Sequence, residues 1–138
     1  MIEKVYILSL LTICSYSDIQ SREMSIRLLA GFGIVETALI FYRLILVEAY
    51  LPWGVLVGIG LLLISKYTRG AVGDGDAVLV IMTGFLLDMK SNLILITGAS
   101  IAAAVYGLFL MIIKQKNRKE EFAFVPFLLI TYTGMVLQ

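Results

Sequence analysis

The chain alternates between long apolar runs and short polar breaks, and the runs have the length of membrane helices. Read by uncharged stretches, six segments stand out: Val5–Ser17, Leu28–Val47, Tyr50–Ser65, Ala77–Leu87, Leu93–Ile113 and Phe122–Leu137. A helix needs about 20 apolar residues to cross the hydrocarbon core. The fifth segment meets this without a single charge, and the second meets it while carrying Glu36 and Arg43. The fourth is short, about 16 Å of helix. It crosses only if it takes in Gly75–Asp76 before it or Asp88–Met89 after it. The pattern predicts an all-α membrane protein, a polytopic bundle of about six transmembrane helices, in one domain over residues 1–138. Lys4 before the first apolar run resembles the start of a signal peptide. Ser15-Tyr16-Ser17 is no small-x-small cleavage site, so the expectation is a retained span.

Composition agrees. Of 138 residues, 60% are hydrophobic and 15% charged, against ~25% charged in an ordinary soluble domain. This excludes a soluble globular enzyme, a disordered chain and a nucleic-acid binder. There is no histidine and only one cysteine, Cys14. Ser-His proteases, HExxH zinc proteases, disulfide frameworks and four-cysteine zinc sites are therefore excluded.

The cations set the orientation. With six spans, Arg22, Arg27, Lys66, Arg69, Lys114, Lys116, Arg118 and Lys119 share one side, which leaves only Lys4, Arg43 and Lys90 of the 11 Lys and Arg on the other. The positive-inside rule puts the larger group in the cytoplasm and both termini outside it. The polar stretch Lys114–Glu121 then reads as a cytoplasmic turn that fixes topology, with Glu120 and Glu121 neutralising its charge. Tyr50-Leu51-Pro52-Trp53 reads as an interfacial anchor on the outer side.

On the cytoplasmic side two breaks carry acids: Ser17-Asp18-Ile19-Gln20-Ser21-Arg22-Glu23-Met24-Ser25, and Gly70-Ala71-Val72-Gly73-Asp74-Gly75-Asp76-Ala77. Asp18 closes the first span. Asp76 opens the fourth, where a helix N-terminus favours its charge. Acids at a membrane boundary are functional candidates. Two carboxylates in a partly dry site cannot both ionise easily; one keeps a proton and the other acts as base. Such a pair can activate water against a peptide carbonyl and protonate the leaving amine. Gly73 and Gly75 allow a tight turn and a close substrate strand. The plain alternative is a loop acid at Asp18 and a turn with a helix cap at Asp74 and Asp76. Asp74 is a secondary candidate, two residues from Asp76 and on a different side of the helix start. Glu36 and Arg43, two turns apart, read as a structural polar pair. Gly54, Gly58 and Gly60, with Gly98, Ala102, Ala103 and Gly107, read as close-packing positions within the chain or between chains, so oligomeric state stays open.

These motifs carry a family resemblance. Asp18-Ile19-Gln20-Ser21-Arg22-Glu23-Met24 resembles the first aspartate motif of the type IV prepilin peptidases, Asp-x-x-x-x-x-Ile-Pro-Asn. Gly73-Asp74-Gly75-Asp76-Ala77-Val78-Leu79 resembles their Gly-x-Gly-Asp-x-Lys-Leu motif. Phe122-Ala123-Phe124-Val125-Pro126-Phe127 is similar to the Phe-x-Pro-Phe segment that opens their last helix. The resemblance implies a GxGD-type aspartic protease of the bacterial inner membrane, with Asp18 and Asp76 as the catalytic pair. It further implies a prepilin-like substrate whose basic leader is cut on the cytoplasmic face, just before its hydrophobic helix. Ser25 and Ile26 stand where the family has Pro-Asn, and Val78 where it has lysine, which bears on substrate affinity. The methyltransferase region of the bifunctional members has no counterpart, so no N-methylation and no S-adenosylmethionine are expected, and hydrolysis by an acid pair calls for no metal or other cofactor. Two rival functions remain: a GxGD protease cutting inside transmembrane helices, as in the presenilin group, and a small carrier or assembly subunit binding cations through the same acids.

Overall fold

The computed structural model describes residues 2–21, 26–46, 52–68, 73–114 and 123–137. Among them are six α-helices and no strand: α1 Ile2–Ser21, α2 Ile26–Leu46, α3 Val55–Tyr67, α4 Asp74–Leu86, α5 Met89–Lys114 and α6 Val125–Leu137. Each expected segment holds one helix, and the shifts at the ends have local causes. α3 starts late because Pro52-Trp53-Gly54 forms the turn that feeds it, with Val55 N donating to Pro52 O at 3.1 Å. Trp53 is exposed there; Tyr50 and Leu51 lie outside the described residues. α6 begins at Val125, and Pro126 falls in its first turn, where a missing N–H costs nothing.

The short fourth segment is extended at its N-terminal side only. α4 takes in Asp74, Gly75 and Asp76, then stops at Leu87, which is extended at φ −100° and ψ 146°. Asp88 belongs to the next element. Its Oδ2 accepts from Ser91 N at 3.3 Å, and its carbonyl accepts from Asn92 N at 3.0 Å, so it caps α5. The Ser91 hydrogen bonds hold the Asp88 carboxyl below the usual carboxylate range.

The helices gather into two compact units. The first comprises Met1–Glu23 with Leu95–Gln138, the second Met24–Ile94. In the first unit α1 packs on α6. The buried positions of α1 (Ile7, Leu10, Leu11, Cys14, Ser15 and Asp18) recur every three or four residues and make one stripe. α6 answers with Val125, Leu128 and Tyr132. The last turn of α1 meets the first turn of α6, so the two run antiparallel. Gly98 of α5 lets α6 approach, since a Cβ there would lie 2.6 Å from Thr131 Cγ2. Tyr106 and Phe127 pack as a tilted pair, ring centroids 5.5 Å apart and planes at 50°.

In the second unit α3 and α4 form a close antiparallel hairpin, with α2 against α4. A Cβ on Gly54 would strike the backbone of Gly84 at 2.6 Å, and one on Gly58 would strike Ile81 N at 2.5 Å. Gly54, Gly58 and Gly98 are thus packing glycines as expected, with Gly84 an unforeseen partner. Gly60 departs from the expectation: nothing lies within 4 Å of its Cβ position.

One side chain fastens the hairpin. Asn92 is fully buried at 0% exposure. Its Nδ2 donates to Gly54 O at 2.9 Å and to Val80 O at 3.1 Å, and its Oδ1 accepts from Thr83 Oγ1 at 3.0 Å. It therefore joins the start of α3, the middle of α4 and the start of α5. Asn92→Leu leaves those groups without their partner and should cost about 1–3 kcal/mol, read as a lower melting temperature in detergent micelles. Unchanged melting would show the bonds to be unimportant.

α2 and α5 are long and apolar enough to cross a membrane. Only 6% of the most apolar stretch of α2 is buried, and 17% of that of α5. A core helix of a soluble protein would be covered by its neighbours. These helices expose Ile34, Val35, Phe41, Leu44, Val105, Leu108, Phe109 and Ile112, a surface suited to lipid.

Candidate active site

Asp18 sits in the last turn of α1. A carboxylate at a helix C-terminus is opposed by that helix's own carbonyls, and α1 has no basic residue in its last turn. The relief comes from another helix. Asp18 Oδ2 accepts a hydrogen bond from Val125 N at 3.1 Å, at the first residue of α6, where the dipole is positive. Asp18 is only 8% exposed, and Val125 is fully buried. The first aspartate motif is thereby tied to the Phe124-Val125-Pro126-Phe127 segment, more than a hundred positions along the chain.

Asp74 and Asp76 lie in the first turn of α4, with Gly73 as the residue before it. Gly73 offers no side chain to cap this turn, and both acids lie at the positive end of the helix dipole. The acids point differently, as their spacing predicts. Asp74 is exposed, and its Oδ1 accepts from the buried Ser65 Oγ at 2.5 Å, which ties the start of α4 to the end of α3. Asp76 is half-buried and folds back over the helix start, its Oδ2 lying 3.0 Å from where a Cβ on Gly73 would be.

This changes the reason for Gly73. The sequence suggested a tight turn needing glycine's freedom. Gly73 in fact sits at φ −62° and ψ 130°, which any residue adopts, and what its lack of a side chain provides is space beside the Asp76 carboxylate, which a Cβ would crowd at 3.0 Å. Gly75 lies inside the first turn of α4. Gly70, Ala71 and Val72, like Arg22–Ser25, lie outside the described residues, as do Lys116, Arg118, Lys119, Glu120 and Glu121.

The candidates thus divide between the units: Asp18 with Val125 in the first, and Gly73, Asp74, Gly75 and Asp76 with Ser65 in the second. The sequence did not reveal Ser65 or the Val125 N–H. Ser65 was legible only as the end of an apolar run, and a backbone donor leaves no mark in the letters. Glu36 is the one buried residue of α2, at 3% exposure, and its Oε1 has no hydrogen-bond partner among the described residues. Nor does any group of three or more Cys, Asp or Glu among the described residues make a metal cluster.

The model of the type IV leader peptidase family matches residues 5–108. The match runs through α1 to α5, both aspartate motifs included. The chain belongs to the type IV leader peptidase family. Comparison with curated proteins gives no match, and comparison with solved structures gives none. Membership makes this leader peptidase homologue a hydrolase of peptide bonds, and the lipid-suited faces of α2 and α5 agree with a membrane setting. The α6 segment that holds Asp18 lies beyond the matched residues.

Proposed function

We propose that this chain is an aspartic endopeptidase of the bacterial inner membrane that removes the basic leader of type IV prepilin-like proteins. In this reading residues 1–138 form one catalytic domain of about six transmembrane helices, with both termini extracytoplasmic and the catalytic face in the cytoplasm. The substrate presents its charged leader to water and its apolar helix to lipid, which brings the scissile bond to the boundary. Asp18 and Asp76 are the catalytic pair. One carboxylate takes a proton from the attacking water while the other, protonated, donates to the leaving amine. Asp74 adds negative charge at the mouth, and Gly73 and Gly75 leave the approach open enough for an extended strand to come close. The chemistry asks for no metal, cofactor or S-adenosylmethionine.

The observation that carries this reading is the family match through both aspartate motifs. Val125 N–H, held against Asp18, supports it by explaining how a carboxylate is kept at an unfavourable helix end.

The test is co-expression with a prepilin-like substrate bearing a basic leader and a glycine before its apolar helix. The expected product begins directly after the leader, as read by mass spectrometry of the new N-terminus. A cut in the middle of the apolar helix would instead make the chain an intramembrane-cutting GxGD protease. An uncut substrate together with cation flux in proteoliposomes would make it a carrier.

A further inference from the structure

We propose that the backbone N–H of Val125 is the positioning group of Asp18, fixing Oδ2 so that protons enter and leave the carboxyl at Oδ1. The inference rests on the reading of Asp18 as a catalytic acid.

The start of α6 is arranged to leave this one donor pointing outward. The first N–H groups of any helix lack partners within it. Here Pro126 has no N–H, and Phe127 N donates to Phe124 O at 3.0 Å. Val125 N remains, and it donates to Asp18 Oδ2 at 3.1 Å. Both residues are buried, so water does not compete for the bond, and such a charge-assisted bond is stronger than a neutral one. The packing below it is equally defined. Cys14 and Ser15 continue the buried α1 stripe toward Asp18, and Leu128 continues that of α6 beyond Val125. A carboxylate with one oxygen held by an N–H has a single oxygen left for proton exchange, and its direction is set by the first.

Two substitutions at one position separate this role from packing. Val125→Pro deletes the N–H but keeps a ring of similar bulk at the first helical position, which proline accepts. Val125→Ala keeps the N–H but removes buried methyl groups. If the N–H positions Asp18, V125P lowers kcat for leader cleavage about tenfold or more with KM nearly unchanged, while V125A, which keeps the N–H, loses stability and far less of kcat than V125P. If Val125 merely packs, V125A suffers at least as much as V125P, and the inference falls.

A second measurement needs no substrate. In the full chain, labelled with nitrogen-15 valine in micelles, the Val125 amide resonance should follow a carboxyl titration. In Asp18→Asn it should stay flat, because asparagine still accepts the bond but does not titrate. The same titration in D18N would overturn the inference. The two failures look different: if no form of the chain cuts a leader, the functional reading fails. If V125P cuts at the wild-type rate, or the D18N amide still titrates, the positioning role fails.

Discussion

Asp18→Asn is expected to abolish leader cleavage while leaving the protein folded. The loss expected is about 10²–10⁴-fold, the usual contribution of an acid–base group. The stability change expected is under about 1 kcal/mol, because asparagine caps a helix about as well as aspartate. The reason for the split lies in the contact with α6. The oxygen that accepts from Val125 N is available in either side chain, so the junction between α1 and α6 survives. What asparagine cannot do is exchange a proton. If Asp18 were only a cap reaching across from α1, D18N would be silent in both measurements. Leader release in membranes, paired with melting in micelles, reads the two effects separately. A D18N variant that still cleaves at a tenth of the wild-type rate or better would remove Asp18 from the chemistry.

The second large effect falls on α4. Asp76→Asn is expected to lose activity on the same scale, about 10²–10⁴-fold, whereas Asp74→Asn, which removes a charge at the mouth but no proton-transfer group, is expected to stay within about threefold, the scale of an exposed substitution. The two carboxyls share one helix turn, so the dipole does not distinguish them. Their surroundings do. Asp74 is exposed and spends one oxygen on Ser65, a bond that asparagine can also accept. Asp76 is half-buried over Gly73, in a space that a methyl group would narrow. Initial rates of leader release by D74N and D76N, measured side by side, decide the assignment. An inactive D74N with an active D76N would exchange the two roles.

Much of the fold was legible because a membrane-sized apolar run leaves few choices to the backbone. All six segments hold a helix, and even the weak fourth extended in one of the two directions its flanks allowed. The ends were less legible. The turn at Pro52-Trp53-Gly54 and the cap at Asp88 depend on single hydrogen bonds that hydrophobicity does not encode. Of the site, Asp18, Asp74 and Asp76 were readable because acids are conspicuous in such a chain. Their partners were not. Asn92 looked like the polar edge of a span, yet it is buried among groups from α3 and α4, which no local pattern records. Gly73 drew attention as a flexible residue and matters as an empty space. Gly60 shares its spacing with Gly54 and Gly58 but meets no neighbour, since spacing along one helix does not say where a second helix lies.

The α3–α4 hairpin has unequal fasteners. At its far end Asn92 stitches three elements with several shielded bonds, and glycine faces glycine. At the other end the buried Ser65 hydroxyl reaches an exposed carboxylate, that of Asp74. Water competes for the exposed acceptor and not for the buried bonds of Asn92, so thermal loosening is expected to start beside Asp74 and to reach Gly84 last. Opened in that order, the hairpin would work as a clamp hinged at its Gly84 tip, with Asp74 and Asp76 on the free jaw.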